Sequence, residues 1–174
     1  IRSDRTPNGA VVTHMSEKPE GKGYGLYSVE GKLHFHLTSN YVNDALRVET
    51  APVLESGKWH HVAVTYAGSK MAEGVRLFVD GRPVEFTVGM ETLYRPFRNA
   101  GAKFTEPLRI GGGGGPQNRF RGLIDDVRLY RRVLNEDQVA AAALGVPLSR
   151  LTAKPAAQRT TPESNALRWQ FLAT

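Results

Sequence analysis

Side chains change character at every second position through most of this chain. In "KLHFHLT", Leu33, Phe35 and Leu37 fall on one face and Lys32, His34 and His36 on the other. That pattern predicts a half-buried strand. "YGLYSVEGK" before it predicts a second short strand, with Glu30 and Gly31 turning between the two. "ALRVET" predicts a third. "KWHHVAVTYAG" sets Val62, Val64 and Tyr66 on one side and Trp59, Ala63 and Thr65 on the other. A strand apolar on both faces is expected at the centre of a layered structure. "GVRLFVDGRPVEF" predicts a hairpin, with Asp80 and Gly81 supplying a positive-φ turn. "EPLRIGG" and "RFRGLIDDVRLYRRVL" predict the last two strands.

Gly111 to Gly115 form an unbroken glycine run between those two strands, close to Arg109, Arg119 and Arg121. A phosphate cradle needs a helix N-terminus directly after the glycines, whose free amides and dipole hold the anion. Pro116, Gln117, Asn118 and then a strand pattern follow instead. Neither the P-loop nor the dinucleotide spacing is met. The run predicts a loop of the sheet.

The period changes only after residue 134. "LNEDQVAAAALG" offers Asn135 as N-cap, Gln138 as its capping-box partner, Gly145 just past the end and Pro147 beyond. These signals predict a helix of about ten residues. From Pro147 the composition turns to Ala, Pro and Thr, leading to a second helix from about Glu163 with Leu167, Phe171 and Leu172 as an apolar stripe beside Trp169. Residues 147–174 are too short to bury a core of their own. The expected organisation is therefore a β-sandwich over 1–146 and a linker with a helix over 147–174.

Length, at 174 residues, allows one ordinary domain. No apolar run approaches the roughly 18 residues of a membrane span. Cysteine is absent, which excludes disulfides, thiol catalysis and thiolate metal sites within the chain. The net charge of +6 is scattered, without a run of like charge or an arginine-lined helix face, so a nucleic-acid partner is not expected. The chain opens on Ile1 and is expected to be a piece of something longer.

"GKWHHVAVTYAG", "VRLFVDGRPV", "LRIGG" and "FRGLIDDVRLYRRVLNEDQVAAAA" occur in an order that resembles the bacterial type of laminin G-like domain. The resemblance covers roughly residues 8 to 145 and implies an all-β fold. Two antiparallel sheets would pack face to face as a concanavalin A-like jelly-roll sandwich, with one short helix after the last strand and a helical tail. Members of that family carry one or two strands ahead of the region matching "GAVVTHMS", and these have no counterpart here. Their first strand pairs with the last, so "GLIDDVRLY" is expected to show an open edge. Either the C-terminal helix covers it or two chains pair there as a homodimer. The tail "PAAQRTTPESNALRWQFL" is similar to a segment of large exported bacterial proteins with cytochrome c-like regions, though nothing here attaches a haem.

Asp125 shares strand parity with Leu123, Val127 and Leu129, so alternation points it at an apolar side. A buried carboxylate there must be paired, hydrogen-bonded or metal-bound. In related jelly rolls the matching Asp ligates calcium, which makes Asp125 a calcium candidate, with backbone amides or an arginine as the alternative. Asp126 is expected to be exposed. His34 and His36 stand two apart on one face, but zinc needs three or four convergent ligands and only His14 remains to add. His61 is expected to be a packed histidine. The polar sheet face with Lys32, His34, His36, Asn40 and Tyr41 is the expected ligand site. Tyr24, Tyr27 and Tyr94 are further candidates, because glycans bind aromatic rings beside hydrogen-bonding side chains.

A glycan hydrolase of this fold needs two carboxylates across the bond, usually on one strand, and no such spacing occurs. No nucleophile elbow is present either. The sequence therefore points to a non-catalytic recognition module for carbohydrate or protein within a larger exported protein. A ligand-free architectural spacer is the alternative, and a degenerate glycoside hydrolase a third.

Overall fold

The computed structural model describes residues 1–16, 21–95, 105–113, 118–146 and 148–172. Its strands are β1 (Gly9–Met15), β2 (Gly23–Val29), β3 (Lys32–Asn40), β4 (Asp44–Pro52), β5 (Val62–Tyr66), β6 (Val75–Val79), β7 (Arg82–Val84), β8 (Phe86–Glu91) and β9 (Arg109–Ile110). They form a six-stranded sheet in the order β8-β4-β3-β2-β1-β9 and a three-stranded sheet in the order β5-β6-β7. All named pairs are antiparallel. The two-sheet sandwich that alternation predicts is the fold observed.

β3 shows why. Leu33, Phe35 and Leu37 are buried, and the intervening Lys32, His34 and His36 are half-buried on the opposite face. Leu46 and Val48 of β4 continue the inner face, and Val75 and Leu77 of β6 meet them from the other sheet. Each such side chain contributes about 1.5–3 kcal/mol by leaving water. β5 is half-buried along its whole length: Val62, Val64 and Tyr66 pack on this core, while Ala63 packs on a second one.

That second core lies on the outer side of the three-stranded sheet. Phe78, Leu134 and Val139 form it, under helix α1 (Glu136–Ala142). α1 starts as the sequence predicts: Asn135 Oδ1 accepts from Gln138 N at 2.9 Å and Gln138 Oε1 accepts from Asn135 N at 2.8 Å. Gly81, in the β6–β7 turn at φ 77°, sits against the helix, and a Cβ there would lie 3.0 Å from Ala140 Cα. The chain continues through α2 (Leu148–Ala153), which sequence composition presents as loop, into α3 (Thr161–Leu172). α3 packs on α1 and α2, and Lys154 pairs with Glu163 at 2.7 Å. The side chains of Trp169, Phe171 and Leu172 lie outside the described residues, as do Gly114 and Gly115.

Three expectations need correction. "GLIDDVRLYRRVL" is not a laddered strand: among the described residues its backbone pairs only through the Arg2–Leu123 bridge. The physical reason is a missing neighbour, since among the described residues no strand lies beside it on the β5 side. Asp125 does not face the interior. It is exposed with Leu123, Val127 and Leu129, and Ile124 turns inward instead. Asp126 adopts φ 51°, and Asp125 Oδ1 accepts the Asp126 N–H at 2.9 Å. Finally, the deeply packed histidine is His60, at 7% exposure, rather than the half-buried His61.

His60 joins three segments. Its Nδ1 donates to Asp80 Oδ2 at 2.9 Å, its Nε2 accepts from Glu55 N at 2.9 Å, and His61 N donates to Asp80 Oδ1 at 2.9 Å. Asp80→Ala leaves both donors without acceptors. We expect a loss of about 1–3 kcal/mol in urea denaturation, with Asp80→Asn recovering part because it retains an acceptor and tolerates positive φ.

Candidate functional site

The outer face of the six-stranded sheet gathers rings and charges. Strand register sets Tyr27, His34 and Glu49 in one cross-strand row and Gly25, His36 and Arg47 in the next. Because the pleat puts β3's Leu33, Phe35 and Leu37 inside, its histidines must stand outside. His36 is the hub. Its ring lies 5.0 Å from Tyr27, 6.0 Å from His34 and 6.4 Å from Tyr41. Gly25 makes this possible, because a Cβ there would come within 2.6 Å of the Tyr27 ring. Tyr27 lies across the sheet in that space, its hydroxyl donating to Met15 Sδ at 3.4 Å.

Charges frame the rings. The Arg47 guanidinium sits 4.6 Å from the Tyr41 ring centroid, a cation–π contact. Lys32 Nζ donates to Glu49 Oε1 at 2.8 Å, and His34 Nδ1 lies 3.6 Å from Glu49 Oε2. Burial, then the neighbouring His34 and Arg47, holds His36 down to about 4, so it is neutral at pH 7. Burial also lowers His34 despite Glu49. The Tyr27 hydroxyl is pushed up to about 12, by burial first and then by Tyr41. The Lys32 hydrogen bond keeps Glu49 below the usual carboxylate range. The face thus presents neutral rings, a fixed guanidinium and an ion pair.

Of the residues singled out in the sequence, Lys32, His34, His36 and Tyr41 come together here, and Tyr27 joins them. Asn40 does not present its side chain in the same way, since its Oδ1 accepts from Val42 N at 3.0 Å and shapes the β3–β4 turn. Tyr24 belongs to the other face, packing on the core and edge-on to His14 at 5.3 Å. Tyr94 is exposed after β8, with its N–H on Asp44 Oδ1 at 3.0 Å. Sequence reasoning passed over Arg47 and weighed Glu49 only as a hydrolase carboxylate with Glu55, in a turn region, whereas it lies on β4. The signal was present: in "ALRVET" Arg47 and Glu49 alternate with Leu46 and Val48, and a β3–β4 hairpin sets them opposite the histidines.

Asp125 gathers no carboxylate set around it among the described residues. Its side chain is exposed, one oxygen is taken by Asp126 N, and among the described residues no three His, Cys, Asp or Glu are grouped to hold a metal ion. Calcium needs six to eight oxygens.

This sandwich, with its ring-bearing sheet face, is the architecture of a lectin-like β-domain. The laminin G-type family model of the concanavalin A-like lectin/glucanases superfamily matches residues 1–140, and the chain belongs to that family. It is also similar to the "Sushi, von Willebrand factor type A, EGF and pentraxin domain-containing protein 1" of Rattus norvegicus and of Mus musculus. Each is 28% identical over 109 residues, which is 62% of this chain. The chain spans 3% of the length of those relatives. Among solved structures, an S-layer domain-containing protein (residues 221–444) of Clostridium thermocellum aligns at 22% identity and TM-score 0.34. That alignment covers 82% of this chain and 66% of the other.

Proposed function

We propose that the chain is a non-catalytic recognition module of a larger exported protein and that it binds carbohydrate on the outer face of the six-stranded sheet. The observation that carries this reading is the cluster of Tyr27, His36 and Tyr41 rings beside Arg47, Lys32 and Glu49. Sugar rings present C–H faces that stack on aromatics and hydroxyls that bond to charged and imidazole groups, and both kinds of partner stand here together. Glu49 is tied to Lys32, so it serves hydrogen bonding better than acid or nucleophile chemistry, which needs a second carboxylate across the bond. Membership of the lectin/glucanase superfamily supports the ligand class, and the small share of the relatives that the match occupies supports a module within a larger protein.

A glycan array probed with the purified chain tests this reading. We expect selective binding, weakened about tenfold or more by Tyr41→Ala, without a change in melting temperature since Tyr41 is 43% exposed. Binding to no glycan at millimolar concentration favours the architectural alternative.

A further inference from the structure

The charges on the ring-bearing face are unevenly spent. Lys32 and Glu49 pair at 2.8 Å, and the second Glu49 oxygen lies 3.6 Å from His34 Nδ1. Arg47 stands two residues from Glu49 on the same strand, yet among the described residues no carboxylate pairs with it. Register sets Arg47 between His36 of β3 and Met90 of β8. Its Nη2 donates to Met90 Sδ at 3.1 Å, and its Cζ lies 4.6 Å from the centre of the Tyr41 ring. His34 and His36, both lowered by burial, add no cation of their own at pH 7.

Both contacts of Arg47 orient its guanidinium without consuming its charge. A thioether sulfur is a weak acceptor, and an aromatic face attracts a cation while carrying no net charge. Arg47 is half-buried and none of its nitrogens is enclosed without a partner, so its remaining N–H groups open to solvent. A planar fork held in one place matches a carboxylate bidentately. An acidic peptide would supply the carboxylate but no rigid C–H face for the Tyr27 and Tyr41 rings. A sugar acid supplies both.

We propose that this face is selective for uronic acids, with Arg47 as the specificity-determining residue that clasps the sugar carboxylate while a tyrosine stacks on the pyranose ring. The inference rests on the reading that sugar binds here, and adds the class of sugar and the side chain that reads it.

Calorimetric titration of residues 1–174 with trimers of galacturonate, mannuronate and glucuronate, each against its methyl ester, tests it. The ester keeps the rings and removes only the charge. At least one acid is expected to bind roughly tenfold or more tightly than its ester. Arg47→Gln should bring that ratio to about one, and Arg47→Lys, which keeps the charge but loses the fork, should give an intermediate ratio. Arg131→Gln, which removes an exposed cation beside β5, should leave the ratio as it is. Equal affinity for acid and ester, or binding of neutral oligosaccharides alone, overturns this inference and leaves the sugar reading standing. A preference that survives Arg47→Gln, or that Arg131→Gln also abolishes, overturns it too. So does triglutamate binding as tightly as the trisaccharide. Binding of no sugar at all overturns both readings.

Discussion

Truncating Phe78 to alanine is expected to remove about 3–5 kcal/mol of stability. Phe78 is 1% exposed and sits in the middle strand of the three-stranded sheet, pointing away from the inter-sheet core. Its partners Leu134 and Val139 belong to α1 and its approach, and Ala63 to β5. The ring is therefore the joint between sheet and helix, and its neighbours are too few to close over the space it would leave. Denaturant unfolding should show the loss, and native-state exchange should show α1 amides opening ahead of β3 and β4. A loss below about 1 kcal/mol would mean that the helix is docked by other contacts.

Acid is expected to destabilise the protein well before its carboxylates protonate. His36 has its folded value at about 4 against an ordinary 6.5. Between those limits the unfolded chain binds a proton that the folded one refuses, so stability is complete above 6.5 and falls as pH drops towards 4. At about 1.4 kcal/mol per unit, the contribution is on the order of 3 kcal/mol. The charges around the ring act in both directions, His34 and Arg47 against protonation and Glu49 for it, with burial dominant. His36→Gln should flatten this limb of the stability curve. His34 and His61 are lowered too, chiefly by burial, and act in the same sense. An unchanged limb in His36→Gln would show that the imidazole is solvated.

The elements most legible in the sequence were those fixed by local chemistry. Alternation placed β3 with its inner and outer faces, Asp80–Gly81 marked a hairpin, and Asn135 with Gln138 marked the start of α1. Features that depend on a distant neighbour were not legible. "GLIDDVRLY" carries a good strand pattern, but a ladder needs a second backbone, and among the described residues only Arg2 supplies one, at Leu123. Asp125 keeps the parity of Leu123, Val127 and Leu129, but that side is the exposed one, and parity alone does not say which side of a strand a sandwich covers. β8 (Phe86–Glu91) was missed although Phe86, Val88 and Met90 alternate with Thr87, Gly89 and Glu91, because a glycine interrupts the run and the outer strand is largely exposed. At the ring face, strand parity alone grouped Lys32, His34 and His36. Arg47 and Glu49 required the β3–β4 register, and Tyr27 required the room above Gly25.

The most direct measurement is an NMR titration of the chain with cello-, xylo- and uronic-acid oligosaccharides, following ring protons of His34, His36, Tyr27 and Tyr41. Recognition on the outer sheet face predicts saturable shifts in these rings and in the Arg47 side chain, with β5 and segment 123–133 unmoved. Shifts confined to β5 and that segment, or none at millimolar sugar, would contradict it.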